Sequence, residues 1–76
     1  MGRIKGWTKT KDLPFLFEYE HEAGTVRLTG YKIPTGWKVR MKQFGVNGWY
    51  VSHESARIHK TKSDAKSIAR EQMGGY

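Results

Sequence analysis

The chain contains no cysteine, which removes disulfides and thiolate zinc sites from consideration and makes the cytoplasm the expected compartment. No stretch approaches the roughly 18 apolar residues of a membrane span, and the opening MGRIKGWTKTKD lacks the apolar core of a secretory signal, so no membrane partner is expected. Metal and catalytic patterns are equally scarce. The three histidines, His21, His53 and His59, fall at no metal-ligand spacing. The alternating Glu18, Glu20 and Glu22 imply no paired-carboxylate pocket, since Arg27 offers Glu20 an ordinary structural partner. None of the nine glycines belongs to a phosphate-binding loop. Neither an enzyme, a cofactor nor a metal site is expected.

Acids are the other shortage. Fourteen Lys and Arg face seven Asp and Glu, for a net charge of +7 on 76 residues. The imbalance is uneven: residues 25–45 hold Arg27, Lys32, Lys38, Arg40 and Lys42 and no acid. A clustered cationic surface attracts a polyanion at long range, which points to DNA or RNA as partner. An excess of solvating lysine would produce the same count.

What is present reads as one small domain over residues 14–76, preceded by a basic arm over 1–13 that Ile4 and Trp7 can hold down. FLFEYEHE alternates Phe15, Phe17 and Tyr19 against Leu16, Glu18 and Glu20, the pattern of a half-buried strand. A tight turn at Ala23 and Gly24 leads into VRLTGYKI, with Tyr19 opposite Leu28 and Glu20 opposite Arg27. Gly30 breaks the alternation, and a bulge there would bring Tyr31 and Ile33 to the core beside Val26 and Leu28. WKVRMKQF follows a turn at Pro34, Thr35 and Gly36 and interleaves apolar with basic residues. It is joined to WYVSH by GVNG, read as a three-residue loop with Gly48 left-handed, pairing Gly45 with Trp49 and Gln43 with Val51. That register places Trp37, Val39, Met41, Trp49 and Val51 on one face. TKSDAKSIAREQM has helical character: Thr61 caps its first turn, Ala65, Ile68, Ala69 and Met73 form its apolar stripe, and Gly74 and Gly75 stop it. The expected fold is α+β, a small antiparallel sheet of three to four strands with one C-terminal helix packed on one face.

One short helix covers one face of such a sheet and leaves the other open. The expected open face displays Lys38, Arg40, Lys42, Phe44 and Tyr50, cations to neutralise phosphates and rings to pack on sugars or bases. Lys62, Lys66 and Arg70 recur every four residues on the helix, a basic stripe that reads either as an extension of the phosphate contacts or as a solvated helix face. The expected function is non-catalytic nucleic-acid binding. The alternative is a protein-interaction module in which Phe44 and Tyr50 anchor a partner and the cations meet its acidic rim.

The motifs Trp37-Lys38-Val39, Asn47-Gly48, Trp49-Tyr50-Val51 and Thr61-Lys62-Ser63-Asp64-Ala65 give residues 37–72 a likeness to a known family. That stretch resembles the DNA-binding domains of the AP2 and integrase amino-terminal type, a three-stranded sheet followed by a helix. The resemblance implies a sheet face that reads the major groove, falling here on Lys38, Arg40, Lys42 and Tyr50. GWYVSHESARIHKTKSDAKSIARE also resembles small prokaryotic domains of no known activity, and RIKGW resembles short archaeal proteins of unknown function.

Overall fold

The chain runs back and forth through five strands before a single helix closes it. The computed structural model describes residues 6–55 and 57–74. The strands are β1 (Trp7–Leu13), β2 (Leu16–His21), β3 (Val26–Ile33), β4 (Gly36–Gly45) and β5 (Gly48–Glu54), and the helix is α1 (Lys62–Gly74). They form one antiparallel sheet in the order β1-β2-β3-β4-β5. Sequential hairpins need only short turns, so every strand lies beside its neighbour in the chain.

The sheet thus has five strands rather than the three to four expected. The additional one is β1, drawn from the segment read as a basic arm; residues 1–5, with Arg3, Ile4 and Lys5, lie outside the described residues. Only Trp7 of β1 is buried, so the strand shows no apolar alternation. It is held by backbone pairing to β2, from Trp7 opposite His21 to Leu13 opposite Leu16, with a bulge between Lys9 and Lys11.

The core lies between the sheet and α1. Phe17, Leu28 and Val39 are fully buried, with Trp7, Tyr19, Val26, Trp37 and Met41 around them. Ala65, Ala69 and Met73 face them from α1. Small alanines let the helix axis come close to β3 and β4, and each large side chain buried beneath it stabilises the fold by about 1.5–3 kcal/mol. Gly30 contains no bulge: the ladder runs unbroken through Phe17, Gly30 and Val39. The missing side chain makes room for the Phe17 ring, which lies over Gly30 and stacks on Trp37 at 6.0 Å. Tyr31 therefore keeps its own parity and points away from the core, half-buried, as does Ile33. Phe15 falls in the turn before β2 and is exposed.

After β5 the chain crosses the end of the sheet, where Trp37 and His59 exchange backbone hydrogen bonds of 2.7 and 2.8 Å. That bridge directs the chain onto the core side, where α1 begins. The Asp64 amide donates to Thr61 Oγ1 at 3.1 Å, the expected N-cap. Thr61→Ala should cost about 1 kcal/mol in chemical denaturation, while Ser63→Ala on the exposed surface of the first turn should leave the midpoint nearly unmoved. Equal midpoints for the two variants would remove the cap from the account of where α1 starts.

Candidate functional site

Cross-strand partners share a face, so the register reads out the side of the sheet that α1 leaves open. One row across it is Glu18, Thr29, Arg40 and Glu54; the next is Glu20, Arg27, Lys42 and Val51; at the β4–β5 end Phe44 stands opposite Trp49. Lys38, opposite Tyr31, extends the face at the other end. Of the residues expected here, Lys38, Arg40, Lys42 and Phe44 are brought together.

Tyr50 is not among them. The β4–β5 turn holds two residues, Val46 and Asn47, with Gly45 opposite Gly48, Phe44 opposite Trp49 and Lys42 opposite Val51. Gly48 does take a positive φ of 106°, but the pairing differs by one residue from the three-residue-loop register. Because side chains alternate, a one-residue slip exchanges faces for the whole strand. Trp49 and Val51, expected in the core, therefore join the open face. Tyr50 lies on the other side, its hydroxyl donating to Gln43 Oε1 at 3.0 Å. A bulge at Met41 and Lys42 then restores parity, so that Glu54 meets Arg40.

The helical cations are also elsewhere. Lys62 reaches Asp12 at 2.8 Å and donates to the Leu13 carbonyl at 2.7 Å, and Lys66 lies 3.6 Å from the same carboxylate. Hydrogen bonds from Lys62 and Lys9 hold the Asp12 carboxyl well below the usual carboxylate range. These pairs tie the start of α1 to the end of β1 on the core side. Arg70 is exposed on the same helix. Lys62, Lys66 and Arg70 thus do not share the face that carries Lys38, Arg40 and Lys42.

The open face divides into two zones. Its middle is a self-contained polar network. The Tyr31 hydroxyl donates to Glu54 and accepts from Arg40 Nη2 at 2.9 Å, Arg40 lies 3.3 Å from Glu54, and its guanidinium stacks 4.4 Å from the Tyr31 ring centre. The Tyr31 hydrogen bond, with Arg40 beside it, lowers the Glu54 pKa; that same hydroxyl raises the Arg40 pKa. Next to it Glu18 accepts from Thr10 at 2.9 Å and Thr29 at 3.3 Å. Arg40 is therefore turned inward onto its neighbours, and the zone carries carboxylates as well as cations.

The β4–β5 corner differs. Arg27 lies 4.3 Å above the Trp49 ring, and Phe44 meets Trp49 edge to face at 5.5 Å. Phe44 is 56% exposed, Val51 47% and Trp49 36%. Lys42 flanks Arg27, and the ion pair of Arg27 with Glu20 is long, at 3.9 Å. Among the described residues neither Lys38 nor Lys42 has an ion-pair partner. Sequence reasoning missed Arg27, Trp49 and Val51 here; the signal for Arg27 was its pairing with Glu20, which places it on the parity that continues to Lys42. Among the described residues no three His, Asp or Glu side chains gather to hold a metal ion, and no helix is long and apolar enough to cross a membrane. Compared with family models, curated proteins and solved structures, the chain gives no match.

Proposed function

We propose that the open sheet face binds nucleic acid without catalysing a reaction on it. The observation that carries this reading is the β4–β5 corner, where the exposed Phe44 and Trp49 adjoin Arg27 and Lys42. Cations beside exposed rings suit a ligand with phosphates along one side and flat bases along the other. The sequence likeness to sheet-face DNA-binding domains of the AP2 and integrase amino-terminal type points the same way.

Salt tests it. Binding of DNA and RNA should weaken steeply from about 50 to 200 mM salt, because each neutralised phosphate releases condensed counterions. Replacing Lys38 and Lys42 together by Ala should flatten the log–log slope by about two contacts, while Arg40→Ala should change it little, since Arg40 is held by Tyr31 and Glu54. Absence of salt-dependent binding near about 50 mM, or a slope indifferent to Lys38 and Lys42, would sink the proposal.

A second reading, a protein-interaction module, is favoured by one observation: Phe44, Val46, Trp49 and Val51 expose apolar surface at one corner. Its partner would present an acidic rim to Arg27 and Lys42. Loss of binding would then follow truncation of the rings, with salt acting mainly on the association rate.

A further inference from the structure

We infer, resting on the nucleic-acid reading, that the ligand is a single strand held at the β4–β5 corner, with a base stacked on Phe44 and the Arg27–Trp49 stack beside it. Three features of the face select a single strand over a duplex. The first is width. Five strands at a spacing of roughly 4.8 Å make a sheet roughly 19 Å across, whereas a B-form major groove is about 12 Å wide and admits a two-stranded ribbon. The middle of this sheet cannot enter such a groove, so the likeness to AP2 and integrase amino-terminal domains bears on the kind of ligand and not on their major-groove mode.

The second is charge. A duplex laid over the face would bring its phosphates onto Glu18, Glu20 and Glu54, which stand in the two central rows. Arg40 cannot offset them outward, because its guanidinium is bonded to Tyr31 and Glu54. Exposed rings and cations therefore meet at one corner, and the carboxylates separate it from Lys38 at the other end of the face. A backbone that bends within a few nucleotides can keep its phosphates clear of those carboxylates while reaching Arg27 and Lys42 at the corner and Lys38 beyond, and a stiff duplex cannot.

The third is the rings themselves. Bases within a duplex present their edges, while unpaired bases present flat faces to aromatic side chains and to guanidinium planes. Phe44 keeps more than half its surface exposed. The Arg27 guanidinium stands beside it, 4.3 Å above the Trp49 ring. Both are positioned by the paired strands β3, β4 and β5 rather than by a loop, so the platform exists before the ligand arrives.

The test compares end-labelled oligothymidylate and oligouridylate of about 12 nucleotides with a duplex of the same length, by anisotropy in about 50 mM salt. Single strands should bind at least about tenfold more tightly than the duplex, and should alter tryptophan emission, since Trp49 is 36% exposed while Trp7 and Trp37 are 3% and 5%. Phe44→Ala and Phe44→Leu should each lower single-strand affinity about fivefold to a hundredfold, and Phe44→Tyr should retain it, with circular dichroism showing all three folded. A preference for the deoxy or the ribo strand supports the inference either way and identifies the sugar. A duplex bound as tightly as the single strands would overturn the inference and leave the nucleic-acid reading standing. So would Phe44→Leu binding like the parent protein, which would replace stacking by simple apolar contact. Failure of every oligonucleotide to bind would overturn the nucleic-acid reading itself.

Discussion

Gly30→Ala is expected to lower the melting temperature by roughly 12 °C or more, although it adds one methyl group in the middle of a regular strand. A Cβ at that position would stand 2.1 Å from Phe17 Cζ and within 2.7 Å of two further ring atoms. The ring cannot swing aside, because Phe17 is fully buried and stacks on Trp37. Relief requires moving β2 away from β3 or expelling the ring, at a cost of about 3 kcal/mol. That is a large share of the roughly 4–11 kcal/mol a domain of this size has in total. A double-mutant cycle isolates the cause. In a Phe17→Leu background, itself destabilised by lost packing, the added penalty of Gly30→Ala should shrink by at least about 1 kcal/mol. An unchanged penalty in the two backgrounds would show that the ring is not what glycine accommodates, and that strand geometry at Gly30 needs another account.

Gly36→Ala should rank second, at about 2–4 kcal/mol, and should exceed Gly48→Ala by a clear margin. Both glycines have positive φ, 152° and 106°. A side chain at Gly48 would meet nothing within 4 Å, so only the backbone conformation is penalised there, by about 1 kcal/mol. At Gly36 the new methyl would lie 2.4 Å from the His59 carbonyl oxygen and 2.7 Å from Ile58 Cγ2. That carbonyl is the one that accepts the Trp37 amide. Separating the two would break a buried backbone bridge and loosen the segment that carries the chain from β5 to α1. Thermal denaturation of the two variants side by side decides it. Equal losses would mean that the bridge tolerates displacement and does not determine where the helix is placed.

Much of the sheet was legible because a period of two in the sequence maps directly onto its two faces. FLFEYEHE and VRLTGYKI carry enough apolar and charged residues that only one register pairs like with like, and Tyr19 opposite Leu28 and Glu20 opposite Arg27 follow. The helix was legible for a similar reason: the Thr61 cap and the Ala65–Ala69–Met73 spacing agree with one another, although α1 runs through Gly74, one of the two glycines expected to stop it, and Gly75 lies outside the described residues. β1 was not, because an edge strand whose side chains other than Trp7 meet solvent bears no apolar alternation. Backbone hydrogen bonds, which leave no trace in side-chain type, hold it in the sheet.

Alternation along the strands and the helix was enough to establish that one face of an antiparallel sheet is apolar, that one helix covers it, and that Lys38, Arg40, Lys42 and Phe44 share the other. Tertiary structure alone decided which residues stand beside them. Val46 and Asn47 close the β4–β5 turn with Gly45 opposite Gly48, and that single step of register sends Trp49 and Val51 outward and Tyr50 to the core side. Tyr31, freed of any bulge at Gly30, reaches across to engage Arg40 and Glu54. Asp12, on a strand the pattern did not reveal, draws Lys62 and Lys66 to the core side. The turn register is a local backbone choice between two loop lengths; in the other two cases the outcome depends on a partner distant in the chain, and alternation along one segment carries information about faces but none about which distant group waits there.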